Sequence, residues 1–191
     1  YPATADNMLL SSTRPLPDII VNQIEELVTQ QMFPWYLVKE TTFVDGPTPY
    51  EGAFNNSSFS HVVVMDYEPA SQYYDVFESA LRLISSAANQ DFNDVYRVRL
   101  GCLLPDKLDH HCPHVDFEEE HITALYYVNG NDGDTIFFNQ GESIFQPDCQ
   151  LRVSPDRGKM VVFNGDVLHA SSSPSKGYRI ALNVNFKPRV S

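Results

Sequence analysis

Residues 178–186, YRIALNVNF, alternate between two kinds of side chain almost without a break. Successive strand side chains point to opposite faces, so Arg179, Ala181, Asn183 and Asn185 share one face. Ile180, Leu182, Val184 and Phe186 share the other, which needs a core to cover it. The polar face must look at solvent or into a pocket. A helix cannot sort these residues, because its period of 3.6 would mix the two sets. Further short β-branched and aromatic runs follow Asp94: VYRVRLGCLL, HITALYYV, DTIFFN, QLRVS and KMVVFN, punctuated by Gly, Asn, Asp and Pro. They predict about seven or eight strands in the C-terminal half, spaced as in a β-sandwich or barrel.

The N-terminal half has a different period. The first fifteen residues read as a loose arm. Asp18, after Pro17, is a candidate N-cap, and Ile20, Ile24, Leu27 and Val28 recur at helical spacing. That helix should end before FPWYL (33–37), since Pro34 cannot continue it, with Trp35 as a core anchor. Residues 45–58 read as an irregular loop and 60–68 as a strand. From 72 to 88 the apolar positions Tyr73, Val76, Phe77, Ala80, Ile84, Ala87 and Ala88 predict an amphipathic helix. The expected fold class is α+β, mainly β, with the helices packed on one sheet. With 191 residues and no repeat, low-complexity tract or linker, we expect one domain over 1–191. Residues 1–95 would be a helical and irregular support, and 96–187 the β core.

Charge narrows the function. A net charge of −12, from 25 acids against 13 bases, opposes a general nucleic-acid partner, which needs cationic surface. Cysteines 102, 112 and 149 are odd in number and form no C-x-x-C pair. We therefore expect neither a disulfide framework nor a closed structural zinc site, and a reducing, cytoplasmic compartment. No apolar run is long enough for a membrane span, and YPATADNMLLSS has neither the basic nor the apolar part of a signal peptide. The chain opens on Tyr1, which we take as trimming or an engineered boundary.

The densest chemistry lies in DHHCPHVDFEEEH (109–121), which holds four of the six histidines. In an extended segment His114 and Asp116, at i and i+2, converge on one face. In the β half the one histidine outside this cluster is His169, in FNGDVLHAS. Two His and one carboxylate on one face of an iron form a facial triad that leaves three adjacent positions open. H-x-D alone is a weak signal, and a lone His114 reads more readily as a surface or core histidine. Arg179 follows His169 by ten residues, on the polar strand face. A buried arginine there needs an anion, either a ligand carboxylate or one of this protein's own acids.

Taken together, PHVDFEEEHITALYYVNGNDGDTIFF and SPDRGKMVVFNGDVLHASSSPSKGYRIALNVNF resemble the 2-oxoglutarate/Fe(II) dioxygenases, in their prolyl 4-hydroxylase-like branch. The shared pattern is H-x-D, a T-x-x-x-Y-x-N strand, P-x-x-G before an apolar strand, a distal His, and a basic residue about ten positions on. The resemblance covers roughly residues 96–187. It implies a double-stranded β-helix (jelly-roll, cupin-like) core braced by the N-terminal helices. It implies Fe(II) held by His114, Asp116 and His169, with 2-oxoglutarate as cosubstrate, O2 as oxidant and room for ascorbate as reductant. Arg179 would pair with the distal carboxylate of 2-oxoglutarate, Tyr127 would contact the same group, and Asn183 aligns with a position that often carries a hydroxyl. The implied reaction hydroxylates an unactivated C–H bond, most readily of a prolyl or other residue in a peptide or protein, and releases succinate and CO2. Related halogenases replace the carboxylate ligand with a small residue, so Asp116 favours hydroxylation. Short acidic members of this kind point to a bacterial or viral source.

Of the remaining residues, His110 and His111 read as solvated loop histidines that, with Glu118, form a substrate rim. Cys112, beyond Pro113, receives no ligand role. Glu118, Glu119 and Glu120 read as a solvated loop that would also suit a cationic substrate. His121 reads as structural, and NGNDGD (129–134) as a hairpin turn. Within the family the alternative is a hydroxylase of a free amino acid or small metabolite. A peptide enzyme should show an open groove with 45–58 or 104–113 as its loop. A metabolite enzyme should show a closed pocket with a second anion anchor. A nucleic-acid demethylase would carry a second arginine at position 185, which is Asn, and a non-catalytic cupin-like protein would use H-x-H, which does not occur.

Overall fold

The computed structural model describes residues 11–39, 57–139 and 149–189. Most of the loop expected at 45–58 lies outside these residues. The elements in order are β1 (Ser11–Thr13), α1 (Asp18–Thr29), β2 (Tyr36–Val38), β3 (Ser58–Met65), β4 (Glu68–Pro69) and α2 (Tyr74–Ala87). A short 3-10 turn (Phe92–Asp94) leads into β5 (Val95–Leu103), β6 (Ile122–Tyr127), β7 (Thr135–Phe138) and β8 (Cys149–Val153). The last three are β9 (Met160–Asn164), β10 (His169–Ser171) and β11 (Arg179–Phe186).

Two antiparallel sheets result. The larger runs β1-β9-β6-β11-β5-β3-β2, with β4 on β3, and the smaller runs β10-β7-β8. The mainly-β architecture with two helices matches the expectation. The alternation of β11 recurs in β6 and β9, and it sorts two cores. Ala124, Tyr126, Met160, Val162, Ile180, Leu182, Val184 and Phe186 face the helices. There they meet Val21, Ile24 and Val28 of α1 and Phe77, Ala80, Leu81 and Ile84 of α2. On the other face Leu125, Tyr127, Val161, Phe163 and Ala181 meet Phe137 and Val153 of the small sheet. Both faces of the central strands are thus dry, except where β11 and β5 turn polar. The site lies there.

Several local expectations need correction. The end of the supposed loose arm is a strand, since Ser11–Thr13 pairs along β9. Asp18 is not the cap: Pro17 holds that position without a side-chain bond, and its carbonyl accepts from the Ile20 and Val21 amides. Asp18 sits in the first turn, where its charge complements the helix dipole. In α2 the buried face takes Leu81, whereas Ala87 is exposed. The helix ends in a Schellman motif, with Asn89 left-handed at φ 54° and the Gln90 amide donating to the Ser85 carbonyl. The strand predicted at 60–68 stops at Met65, because Asp66 and Tyr67 both take positive φ in a tight turn onto β4.

Candidate metal and cosubstrate site

His114 and His169 are brought side by side by the backbone. Pro113 prevents a regular strand, yet His114 forms an isolated antiparallel bridge with His169. Its two bonds measure 2.9 Å (His114 amide to His169 carbonyl) and 3.0 Å (the reverse). The H-x-D pair therefore rides on a single bridge and not on the continuous strand expected. One ligand atom from each of His114, Asp116 and His169 lies within 4.8 Å of the others. Asp116 Oδ1 is 3.6 Å from His114 Nε2 and 3.8 Å from His169 Nε2.

The donor set suits a cation. His114 Nδ1 lies 3.0 Å from the Cys112 carbonyl oxygen, and His169 Nδ1 lies 2.9 Å from that of Val167. A carbonyl can only accept, so each Nδ1 carries the proton, and Nε2 of the neutral ring presents a lone pair to Asp116. Burial pushes His169 down to about 4, with the neighbouring His114 adding to the shift and Asp116 opposing it, so the ring is neutral near pH 7. At Asp116 burial acts against the charge. The adjoining His114 and His169 rings and the Arg97 guanidinium outweigh it and hold the carboxyl well below the usual carboxylate range. Two imidazole lone pairs and one carboxylate converge on one point with no hydrogen between them, and a divalent ion resolves that repulsion.

Asp116 is itself held. Its Oδ2 accepts from Asn185 Nδ2 (2.8 Å), Asn183 Nδ2 (3.1 Å) and, at longer range, Thr123 Oγ1 (3.5 Å). Arg97, opposite Asn185 in the sheet, donates to Asn185 Oδ1 (3.0 Å) and lies 3.8 Å from Asp116 Oδ1. Asn183, expected among the cosubstrate contacts, thus has its amide nitrogen on the carboxylate ligand. Arg97 was not singled out in the sequence. Its sign is a basic residue on the pocket side of β5, which becomes meaningful only once the register is known.

Arg179 lies at the other end of the polar face. It is buried, its Nε donates to the Gly133 carbonyl (2.8 Å), and its Nη2 donates to Thr135 Oγ1 (2.9 Å). Burial lowers its pKa, which Tyr127 and Asp134 resist. Among the described residues no acid pairs with it, so the internal ion pair allowed by the sequence is not the one made. A Cβ at Gly133 would stand 2.5 Å from the Ser172 carbonyl oxygen and 3.0 Å from Arg179 Cδ, so glycine is required for this approach. The Tyr127 hydroxyl donates to Thr135 Oγ1 (2.7 Å). Thr135 accepts from both neighbours, which leaves its own hydrogen for a ligand. Thr135, a lone threonine in TIFF, is a site residue that the sequence did not reveal. A cavity of about 90 Å³ joins the two ends, lined among others by His114, His169, Thr135, Arg179 and Asn183. Tyr127 reaches it through Thr135.

The rim needs revision. His111 is buried, not solvated: its Nε2 bonds with Asp106 Oδ2 (2.9 Å) and Ser173 Oγ (3.0 Å), and its amide donates to the Ser171 carbonyl. Burial lowers its pKa, and Asp106 opposes the shift. It does line the cavity. His110 packs on Phe138 with ring centroids 5.3 Å apart, outside the lining. Glu118 is exposed and borders a separate depression with Glu119, Glu120 and His121. Cys112 is buried and free, and His121 packs against Gly165 with Nδ1 2.7 Å from the Glu119 carbonyl oxygen.

Comparisons with known proteins agree with this geometry. Among solved structures, a prolyl 4-hydroxylase from Pseudomonas putida is similar at a TM-score of 0.59 and 17 % identity, over 97 % of this chain and 95 % of its own. A prolyl hydroxylase from Trichoplax adhaerens, in complex with a hypoxia inducible factor peptide fragment, gives 0.61 and 13 % over 93 % and 82 %. The α-ketoglutarate-dependent epimerase SnoN from nogalamycin biosynthesis gives 0.61 and 11 % over 93 % and 77 %. At these identities the likeness speaks for the fold, which hosts more than one chemistry. No curated protein matches the chain in sequence. The family model described as 2OG-Fe(II) oxygenase superfamily matches residues 103–187, the stretch that carries His114, Asp116, His169 and Arg179. Over that stretch, a little under half of its length, the chain is similar to the 2OG-Fe(II) oxygenase superfamily, whose members use Fe(II) and 2-oxoglutarate.

Proposed function

We propose that this chain is a hydroxylase of an unactivated C–H bond in which His114, Asp116 and His169 hold Fe(II) and Arg179 holds 2-oxoglutarate. The observation that carries the proposal is the buried Arg179 guanidinium, which has no acid partner among the described residues and opens on the same cavity as the triad. Its planar fork receives the distal carboxylate, and Thr135, oriented by Tyr127, adds a hydroxyl donor. Asp116, fixed through Oδ2, presents Oδ1 beside the two Nε2 atoms, and these three would hold the metal from one side. Phe137 and Phe163 pack around His169 and keep water from that side. The metal and cosubstrate supply the activation of O2 that yields succinate, CO2 and the hydroxylated product. Because α1 and α2 share one core with β6, β9 and β11, we take 1–191 as one dioxygenase domain.

For the substrate, a prolyl or other residue in a peptide is supported by the likeness to the two prolyl hydroxylases. A free amino acid or small metabolite is favoured by a separate observation, a second arginine in the cavity wall, Arg99, which has no acid partner among the described residues. The test is Fe(II)-dependent conversion of 2-oxoglutarate to succinate, stimulated by prolyl peptides in one arm and a metabolite pool in the other. We expect stimulation in one arm, lost together with iron binding in His169→Ala. The proposal fails if neither pool gives metal-dependent turnover and 2-oxoglutarate does not bind.

A further inference from the structure

Arg99 stands mid-strand in β5, on the face it shares with Arg97, Gly101 and Leu103. It pairs across with Asn183 on one side and Val62 on the other, is half-buried, and forms part of the cavity wall. Among the described residues its guanidinium has no acid partner and makes no hydrogen bond. Anions are not scarce in a chain with 25 acids against 13 bases. Arg97, two residues earlier, shows the contrast: it lies 3.8 Å from Asp116, donates to Asn185, and stacks 4.3 Å over the Phe117 ring. Arg99 has the same kind of place in the strand and no such partners among the described residues.

The wall beside Arg99 leaves room for a ligand. A Cβ at Gly101 would meet nothing within 4 Å, and Ser60 is the residue paired to it. Arg99 is also a different anchor from Arg179. The two pair with Asn183 and Leu103 respectively. Four residues along the strand and one strand across put their Cα atoms about 14 Å apart. 2-Oxoglutarate held by Arg179 at one end and by the triad at the other has no carboxylate left for Arg99. Asn183, next to Arg99, donates to the metal-ligand carboxylate Asp116. A group bound at Arg99 would therefore share the cavity with the triad that would hold the metal.

We infer that Arg99 is the substrate's anion anchor, and that the substrate is a small carboxylate of the amino-acid class. An internal peptide segment has no backbone carboxylate to meet a planar fork. This rests on the hydroxylase function proposed above. A free amino acid and a peptide C-terminus offer the same group, and the experiment separates them.

Succinate formation from 2-oxoglutarate with Fe(II) is measured with the common L-amino acids and short aliphatic carboxylic acids, each beside its primary amide. Prolyl peptides with free and with amidated C-termini complete the panel. At least one free acid stimulates turnover, and its amide has a kcat/KM lower by about 30-fold or more. Arg99→Gln lowers kcat/KM for that acid by a similar factor, mainly through KM, and leaves the amide little changed; Arg99→Lys recovers part of the loss. A peptide accepted with a free C-terminus alone supports the same anchor and identifies the source. 2-Oxoglutarate affinity of Arg99→Gln with Mn(II), within about threefold of the parent, shows that the variant is folded. The inference is overturned if amides or amidated peptides serve as well as acids, or if no carboxylate in the panel stimulates. It is equally overturned if Arg99→Gln weakens 2-oxoglutarate as Arg179→Ala does, which would make Arg99 a cosubstrate residue. Failure of the hydroxylase function looks different: the parent then neither binds nor consumes 2-oxoglutarate with Fe(II).

Discussion

At Asp116 the two carboxylate oxygens have different neighbours: Oδ1 faces the histidine Nε2 atoms, and Oδ2 accepts from Asn185, Asn183 and Thr123. The side chain is 3 % exposed, so it cannot rotate into water when the metal leaves. Partners that orient a ligand are worth about 10–100-fold in metal affinity. Asn185→Ala should therefore weaken Mn(II) or Fe(II) binding by about 10–100-fold in an equilibrium titration, with the fold intact by circular dichroism. Unchanged affinity would show that Asp116 is held without Asn185. His114, Asp116, His169 and Arg179 could be found in the sequence because the chemistry prescribes their types and order. Arg97 and Thr135 could not: each acts through a neighbour, and that neighbour is set by register, Asn185 opposite Arg97 on the next strand and Tyr127 eight residues back.

Among the elements, β11 has two roles: its apolar face closes the helix-side core, and its other face runs from Arg179 to the residues that hold Asp116. That division was legible in YRIALNVNF, because strand period alone separates the faces. β10 was not legible, since three residues carry no periodicity, and β1 is a strand only because β9 offers it an edge. The approach to β7 is tight. Gly133→Ala puts a methyl against the Ser172 carbonyl and the Arg179 side chain, so backbone must shift. We expect a stability loss of about 1–3 kcal/mol in urea denaturation. We also expect 2-oxoglutarate affinity to fall by about tenfold or more as Arg179 moves. A variant with parental affinity would mean that Arg179 is not held by this turn.

At the scale of the whole molecule, buried neutral histidines tie stability to pH. The folded pKa of His169 is lowered to about 4 and that of His111 is lowered, so between those values and about 6.5 the unfolded chain binds more protons. Their contribution is fully present above about pH 6.5 and is lost as pH falls through that window. For His169 alone the loss from pH 7.5 to pH 5 is about 2 kcal/mol. Urea denaturation of the metal-free protein and of His169→Gln at both pH values should show the variant losing less by that amount. Equal losses would contradict a neutral buried His169. No helix among the described residues is long and apolar enough to cross a membrane. The strand order β1-β9-β6-β11-β5-β3-β2 was beyond the sequence, because each strand satisfies its alternation equally well beside several partners. The central claim joins the two ends of the cavity, a metal at the triad and a carboxylate at Arg179. Its most direct test is a titration of 2-oxoglutarate into the Mn(II)-loaded protein and into Arg179→Ala, with His169→Ala as the metal control. We predict metal-dependent binding in the parent, weakened by about 100-fold in Arg179→Ala and without a metal-dependent component in His169→Ala. Equal affinity in the parent and Arg179→Ala would contradict it.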